Sequence, residues 1–299
     1  ASCLVGSEMC IRDREVLCEI ASHNFPLLAL NHIRIENKDA IRHLQEMSSA
    51  DWIFIDPARR DGHGGKTVAI ADCEPNVAEL ESLLLEKAQH VMVKLSPMLD
   101  LSLAIQDLKY VQEAHIVSVN NECKELLLIL GHNTVAAENI PIHCINLQMK
   151  DGRNTEPTGQ FFTFTREQEQ SSSNEYTDTL DKYLYEPNAS ILKAGAFRNV
   201  ACIYKVKKLH PNSHLYTSGE PIKNFPGRSF RITGICTLNK KELKSVLGDL
   251  KKANITVRNF PSSVAELRKR IKLSEGGEVY LFATTLINEQ KVLIRCEKI

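Results

Sequence analysis

The sequence of 299 residues has no long apolar run, no closely spaced cysteine pair and no net charge. A membrane helix needs roughly 18 or more consecutive apolar residues, no segment approaches that length, and the first residues do not resemble a signal peptide. We therefore expect a soluble, cytoplasmic protein without a membrane partner. The nine cysteines include no CxxC pair and the ten histidines do not accompany them at ligand spacing, so we predict free thiols and no metal site.

The neutral total conceals two halves of opposite charge. Residues 191–299 contain 21 of the 37 basic residues but 8 of the 37 acidic ones, a balance of +13, so that residues 1–190 carry a balance of −13. A basic half of this size favours a polyanion such as RNA as a partner. The alternative is that the two halves simply attract each other.

The first half alternates helical and strand-like apolar patterns. Apolar residues at helical spacing predict helices at 15–28, 40–47, 76–88 and 101–110, with Leu17 and Ile20 on the apolar face of the first. Short apolar runs predict strands at 32–35, 51–55 and 90–94, followed by two strands, 114–119 and 125–130, that the loop 120–124 separates. This order predicts a parallel α/β sheet that ends in an antiparallel hairpin.

The strand at 51–55 runs directly into the motif DPARR, residues 56–60, and a glycine-rich loop follows. Ligands of such sheets bind beyond the carboxyl ends of the strands. Asp56, stiffened by Pro57, is suited to hold a nucleobase amino group, and Arg59 is suited to bind phosphate or carboxylate through two hydrogen bonds. The alternative is a helix-capping aspartate followed by solvated arginines.

Three further polar residues follow predicted strands. Asp39 lies near the end of the strand at 32–35, where a role as N-cap of the next helix is at least as good an interpretation as a ligand contact. Lys94 and Ser96 end the strand at 90–94 and either line the same crevice as Asp56 or cap it.

The second half begins with a polar stretch, 151–181, which we interpret as a strand plus linker. A helix at 191–195 and an extended segment at 215–217 follow. From residue 228 the pattern predicts strands at 229–236, 255–258, 279–284 and 291–296 and helices at 239–253 and 262–271. Cations on the solvated helix faces are candidate phosphate contacts, although charged runs on helices are often only solvated: Lys251, Lys252, Arg268, Lys269 and Arg270.

Three segments carry a resemblance to a known family. FIDPARRDGHGGKTVAIADCEPN (54–76), VMVKLSPMLD (91–100) and HIVSVNNECKELLLIL (115–130) resemble bacterial class I S-adenosylmethionine-dependent methyltransferases with a ferredoxin-like insert and a THUMP-like C-terminal domain. The resemblance implies a Rossmann-like sheet, S-adenosylmethionine as cofactor and tRNA or rRNA as substrate. It also implies that Asp56, Pro57 and Arg59 form the methyl-acceptor motif and that Asp39 and Asp56 lie near the cofactor.

The same resemblance implies a domain organisation. The methyltransferase domain would occupy 15–150, the linker 151–181, the ferredoxin-like segment 182–226 and the THUMP-like domain 227–299. The DPAR wording is also similar to that of RNA uracil-C5 methyltransferases, whose nucleophilic cysteine is replaced here by Ser96. Cys73 is a less well placed substitute and is better interpreted as a buried thiol.

The start of the chain departs from the family. The glycine-rich loop and the second-strand acid that the resemblance implies for cofactor binding have no counterpart, and residues 3–14 are similar to the in-frame translation of a sequencing adapter. We therefore interpret residues 1–14 as an artefact outside the fold and the methyltransferase sheet as truncated and inactive. We expect the first helix and first strand to be displaced or poorly ordered. The alternatives are a non-catalytic RNA-binding protein and, less favoured, a nucleotide-binding hydrolase.

Overall fold

A computed structural model describes residues 8–12, 14–59, 69–149 and 158–299. The chain divides into two compact units, one made of residues 1–112 with 128–134 and the other of 113–127 with 135–299. In the part of the chain that is described, no helix combines the length and apolar character required to cross a membrane.

The first unit alternates short strands and helices much as the sequence predicts. Its strands are β1 Glu8–Arg12, β2 Ile33–Asn37, β3 Ala50–Ile55, β4 Ala58–Arg59, β5 Cys73–Glu74 and β6 Ala88–Leu95. Its helices are α1 Glu15–Leu27, α2 Ala40–Glu46, α3 Val77–Lys87 and α4 Leu101–Asp107.

The remaining elements run from residue 111 to 298. The strands are β7 Val111–Val119, β8 Glu122–Leu130, β9 Ile142–Gln148, β10 Thr158–Phe164, β11 Tyr183–Pro187, β12 Lys207–Lys208, β13 Tyr216–Ser218, β14 Gly227–Cys236, β15 Asn254–Arg258, β16 Val279–Thr285 and β17 Lys291–Lys298. The helices are α5 Arg166–Ser171, α6 Ala189–Ala194, α7 Phe197–Tyr204, α8 Lys240–Leu247 and α9 Val264–Ile271.

Six strands form a mixed sheet in the order β10-β9-β7-β8-β6-β3, in which β3 and β6, and β7 and β9, pair in parallel. The predicted α/β class with parallel strands is therefore confirmed. The predicted loop 120–124 is wrong in length, because β7 and β8 are joined by Asn120 and Asn121 alone, at φ 49° and 65°. Two residues of positive φ are the signature of the tight type I′ hairpin turn, and asparagine tolerates that conformation.

The strand predicted within 151–181 is confirmed, because β10 lies there, whereas α5 in the same segment was not predicted. β10 pairs antiparallel with β9 from Thr158↔Gln148 to Phe164↔Ile142, so the segment contributes an edge strand to the six-stranded sheet. Its Phe162 and Phe164 are buried. Alternate apolar residues in this short run, which sequence reasoning noticed but did not assign to the sheet, were the available signal.

The start of the chain also differs from expectation. Residues 8–12, which the sequence analysis excluded from the fold, form β1 and pair in parallel with β2. These two strands make a separate two-stranded sheet. The strand predicted at 32–35, which is β2, therefore lies outside the six-stranded sheet, and this agrees with the expectation that it is displaced. The apolar face expected for α1 is not buried: Leu17 is 37% exposed and Ile20 51%, and only Cys18 of this helix is buried.

The seven strands β12-β13-β11-β14-β17-β16-β15 form one sheet in the second unit. The ferredoxin-like and THUMP-like segments therefore share a continuous sheet, because β11 pairs with β14 from Tyr183↔Arg231 to Pro187↔Gly227. Two apolar clusters are buried against this sheet. The first includes Leu184, Phe230, Phe282 and Ile294, and the second includes Leu247, Leu267, Leu281 and Leu293 beneath the helices of this region.

Two details of the second unit correct the sequence analysis. The helix predicted at 239–253 ends at Leu247, where Gly248 takes the C-cap position, and α7 was not predicted.

Glu186 is 1% exposed on β11 and forms ion pairs with Arg228 and Arg258. A buried carboxylate persists in a sheet only when cations of this kind compensate its lost hydration.

Candidate methyl-acceptor edge and RNA-binding surface

Asp56 lies at the carboxyl edge of β3, and the register of the sheet supplies its partner. β3 and β6 pair in parallel with Ile55 opposite Val93, so the next residues along each strand, Asp56 and Lys94, emerge side by side. Lys94 Nζ donates to Asp56 Oδ2 at 2.7 Å. Lys94 therefore contacts Asp56 at this edge, while its role in lining a ligand crevice stays a prediction.

The motif continues into a short two-stranded ribbon. Pro57 is buried, and Ala58 and Arg59 form β4, which pairs antiparallel with β5 so that Arg59 lies opposite Cys73. The interpretation of Cys73 as a buried thiol is confirmed, because this cysteine forms no disulfide and is 1% exposed. Arg60 and the glycine-rich loop 61–68 lie outside the described residues.

The arrangement at this edge suits recognition of a planar polar group. Asp56 has about half of its side chain exposed, and its Oδ1 has no partner among the residues that the structure describes. A carboxylate oxygen in this state accepts a hydrogen bond from an amino N–H, and its position is fixed because Pro57 restricts the backbone while Lys94 holds the other oxygen. Such an oxygen is suited to orient a planar group that carries an amino N–H.

Asp39 serves locally as a helix cap. Its side chain accepts a hydrogen bond from the backbone N–H of Arg42 at 2.8 Å, which satisfies one of the free donors in the first turn of α2. The N-cap interpretation is therefore confirmed. Since β2 belongs to a different sheet from β3, no strand pairing brings Asp39 beside Asp56. Its implied contact with a cofactor stays a prediction.

The residues present fit a methyl donor only in part. A class I site is expected to hold the methionine part of S-adenosylmethionine on a glycine-rich loop, yet the sequence from Arg14 to Arg59 contains no glycine. Asp56 and Lys94 fit the acceptor side, whereas the described residues of this unit do not complete a donor pocket. We therefore derive no step through the cofactor.

The basic residues of the C-terminal region come together through backbone pairing. Lys252 and Ser274 form a parallel bridge, the backbone N–H of Ser274 donates to Lys251 O at 3.0 Å, and that of Ala253 donates to Ser274 O at 3.0 Å. The segment that carries Lys251 and Lys252 therefore runs beside the segment that follows α9. Both lysines are exposed, as is Lys272 at the C-cap of α9.

On α9 the three predicted contacts differ in exposure. Lys269 and Arg270 are exposed. Arg268 has 18% of its side chain exposed, donates to the backbone carbonyl of Ala253 at 3.2 Å and pairs with Glu275 at 3.9 Å. The expectation that Arg268 lies on a solvated face is therefore wrong, because its guanidinium is hydrogen-bonded to the backbone of Ala253, the residue before β15.

Sequence reasoning omitted other cations from this surface. Lys272 was noted but not selected, although it follows α9 directly. Exposed lysines on α8 were not selected either: Lys240, Lys241 and Lys244. The sequence feature that could have revealed these lysines is the high proportion of cations in α8, in which Leu247 is the only buried residue. We define the basic surface as Lys251, Lys252, Lys269, Arg270 and Lys272.

Comparisons with known proteins agree with this architecture. A family model of a ferredoxin-like domain matches residues 183–226, and a THUMP domain-like model matches residues 227–298. Among curated proteins, no sequence matches the chain. Among solved structures, the crystal structure of a "putative methyltransferase from Porphyromonas gingivalis W83" matches with 40% identity and a TM-score of 0.86. The match covers 98% of this chain and 72% of that protein. The chain therefore belongs to the methyltransferase family whose members carry a ferredoxin-like and a THUMP-like domain, as the resemblance predicted.

Proposed function

We propose that this chain contributes the acceptor edge and the RNA-docking surface of an S-adenosylmethionine-dependent RNA methyltransferase. The observation that carries the proposal is the Asp56–Lys94 pair at the carboxyl edge of parallel strands, in a chain that is 40% identical to a methyltransferase. Class I folds bind their ligands at this edge. The THUMP-like match and the basic surface support RNA, in tRNA or rRNA, as the substrate.

In this proposal the protein acts by orientation. Asp56 Oδ1 accepts a hydrogen bond from an exocyclic amino group of the target base, while Lys94 donates to Oδ2 and holds the side chain in place. Pro57 limits the rotation of the backbone that carries Asp56. Arg59 is proposed to contact a phosphate of the RNA or the carboxylate of the donor. The donor would supply an already activated methyl group, so positioning is the main contribution required of the chain.

The acceptor proposal is tested by transfer of a labelled methyl group from S-adenosylmethionine to bulk tRNA and rRNA. Asp56→Asn keeps the shape of the side chain but loses the charge, and we expect transfer to fall about 100-fold because the base is no longer held in place. Asp51→Asn on the same strand is the matched control, since Asp51 is exposed at the other end of β3. Transfer that is detectable in the wild-type chain and equal in the two variants would contradict the role of Asp56, whereas the absence of transfer in the wild-type chain is the outcome predicted for an inactive enzyme.

The donor is tested separately by calorimetric titration with S-adenosylmethionine. Binding that Asp39→Ser weakens would support the cofactor role of Asp39, because serine retains the helix cap but lacks the carboxylate. The prediction that this chain is inactive stays a prediction, and the absence of both binding and methyl transfer is the result that would support it.

The docking surface is tested by the salt dependence of RNA binding. Alanine replaces three exposed lysines and one exposed arginine in this test: Lys251, Lys252, Lys269 and Arg270. The change should weaken tRNA binding and reduce the slope of log affinity against log salt by about 3.6, since each phosphate contact contributes roughly 0.9. Lys124→Ala, an exposed lysine of β8 paired with Glu122, is the control. An unchanged slope would show that this surface does not contact phosphate.

A second candidate function is RNA binding without catalysis. It is favoured by the incomplete donor side, whereas the basic surface is independent of that side. Steep, salt-dependent RNA binding together with no detectable binding of S-adenosylmethionine would support this candidate. Nucleotide hydrolysis by the chain would instead support the third interpretation, a hydrolase on an α/β sheet. The cytoplasmic location also stays a prediction.

A further inference from the structure

Two parallel strands in the second unit place two histidines and a glutamate on one face of the sheet. β7 and β9 pair so that His115 lies directly opposite His143. Glu113 precedes His115 by two residues, and residues two apart on a strand point to the same face. On the next strand, Thr163 of β10 lies opposite His143. The four side chains come from three strands whose order no local sequence pattern reveals.

The ligand atoms of this group converge. His115 Nε2 lies 3.1 Å from Glu113 Oε2, and His143 Nε2 lies 3.7 Å from the same oxygen. One atom from each residue lies within 4.8 Å of the others. A tetrahedral zinc ion with bonds of about 2.0–2.1 Å requires ligand atoms about 3.4 Å apart. The observed spacing therefore needs only small side-chain rotations to surround such an ion.

The orientation of His143 also favours ligation. Its Nδ1 lies 3.0 Å from the hydroxyl of Thr163, so an Nδ1–H donated to this oxygen leaves the lone pair on Nε2, the nitrogen that faces Glu113. Metal-binding histidines commonly donate their second N–H in this way, which fixes the ring and its tautomer.

We propose that Glu113, His115 and His143 form a binding site for one divalent transition-metal ion, with Zn²⁺ as the best fit. Two imidazoles and one carboxylate are a known three-ligand set for zinc, in which water takes the fourth position. Mg²⁺ and Ca²⁺ prefer shells of oxygen ligands, so the imidazoles discriminate against them. About a quarter of each imidazole side chain and half of the Glu113 side chain are exposed, which leaves an entry path.

The sequence analysis predicted no metal site because it considered the spacing between cysteines and histidines. This group contains no cysteine, and its histidines are 28 positions apart in the chain. The metal-free interpretation is a hydrogen bond between His115 and Glu113 beside the His143 ring, whose centroid is 4.6 Å from that of His115. The two interpretations predict different responses to zinc.

The experiment is calorimetric titration of the chelator-treated full chain with ZnCl₂, with Co²⁺ absorption as a second measurement. We expect one site whose affinity falls at least about 100-fold in His115→Ala and in His143→Ala, and Co²⁺ spectra typical of tetrahedral nitrogen and oxygen ligands. Thr163→Val removes only the partner of His143 Nδ1, and we expect a roughly tenfold loss of affinity. Circular dichroism checks that each variant is folded.

Two controls separate this site from adventitious binding. His132→Ala removes an exposed histidine that is not one of the proposed ligands, and Cys202→Ser removes an exposed thiol. Neither change should alter the affinity for zinc. The proposal is overturned if the wild-type chain binds no zinc, if His115→Ala and His143→Ala bind it as tightly as wild type, or if Cys202→Ser abolishes binding. Because Thr163→Val leaves all three ligands in place, it tests the site even if a histidine variant misfolds.

Discussion

The exposed aromatic residues of β3 contrast with the buried aromatic residues of the seven-stranded sheet. Trp52 and Phe54 on β3 are 52% and 60% exposed, although β3 belongs to an apolar run that predicts burial. Phe230 and Phe282, on β14 and β16, are fully buried and pack edge to face with ring centroids 4.9 Å apart. Both sets are aromatic residues on paired β-strands, so strand formation by itself does not account for the difference.

The difference lies in what covers each strand. The phenylalanines of the seven-stranded sheet belong to a cluster that includes Leu184, Leu209 and Ile294. Trp52 has His90 of the neighbouring strand as its ring partner, at 4.7 Å. An apolar pattern therefore indicates which face can be buried, whereas burial itself requires a second layer of side chains. Perturbing matched residues in the two regions tests this comparison.

The largest effect is expected for Phe282→Ala. Removal of a fully buried phenylalanine costs about 3–5 kcal/mol, because contacts are lost and a cavity remains. Trp52→Ala in β3 should cost about 1 kcal/mol or less, since half of the tryptophan is already exposed. Urea unfolding followed by hydrogen exchange in each sheet measures the two costs separately. Equal losses would show that β3 contributes to stability as much as the covered strands do.

A slightly smaller effect is expected for Glu186→Gln. Loss of the buried charge leaves Arg228 and Arg258 without compensation, and breaking such a buried pair costs about 3 kcal/mol in the free energy of unfolding. The control is Glu46→Gln in the exposed pair with Arg42, where a loss of about 0.3–0.5 kcal/mol is typical. A result in which both substitutions cost the same would mean that burial does not strengthen the Glu186 network.

The next prediction concerns pH. Burial, together with the nearby positive charges of Lys208 and Arg258, lowers the pKa of His214 from 6.5 to about 4. Between these two values the unfolded chain binds a proton that the folded chain does not, so the free energy of unfolding should fall as the pH falls from 6.5 towards 4. The slope from this residue is at most about 1.4 kcal/mol per pH unit.

This pH dependence is measured by urea unfolding at several pH values. His214→Gln should flatten the profile in this window, whereas His132→Gln, at an exposed position, should leave it unchanged. A profile that keeps its slope in His214→Gln would assign the dependence to another group.

The smallest effect is expected at the N-cap of α2. Asp39→Ala removes the acceptor for the Arg42 N–H and should cost about 1 kcal/mol of local stability. Asp39→Ser should restore most of it, because a hydroxyl also caps. Hydrogen exchange of the amides of α2 provides the measurement, and identical exchange in the alanine variant would contradict the capping role.

Much of the secondary structure was predictable from local patterns. The apolar spacing correctly predicted α3 and α9, and the acid at position 39 was correctly recognised as a potential cap. The two-residue turn at Asn120 and Asn121 was missed because the next residues, 122–124, are also mostly polar and were therefore assigned to the loop, although they begin β8. α7 was missed because its short apolar pattern has no side-chain cap at Ala196 to announce it.

The candidate sites were predictable to different degrees. The Asp56 motif was recognised from its position after an apolar run, and Lys94 from its place at the end of the next strand. Their contact at 2.7 Å depends on the parallel register of β3 and β6. Arg268 shows the converse, since its charge suggested solvent exposure while its guanidinium reaches the backbone of Ala253.

By itself the sequence determined the kind of element at most positions, the motif at residues 56–59 and the charge of each half. These properties depend on residues close together in the chain, whose spacing sets which side chains share a face. Only the tertiary structure decided strand order, register and coverage, because pairing and burial join residues far apart in the chain. Those decisions brought Lys94 to Asp56 and His143 to Glu113, and they left Trp52 exposed while burying Phe282.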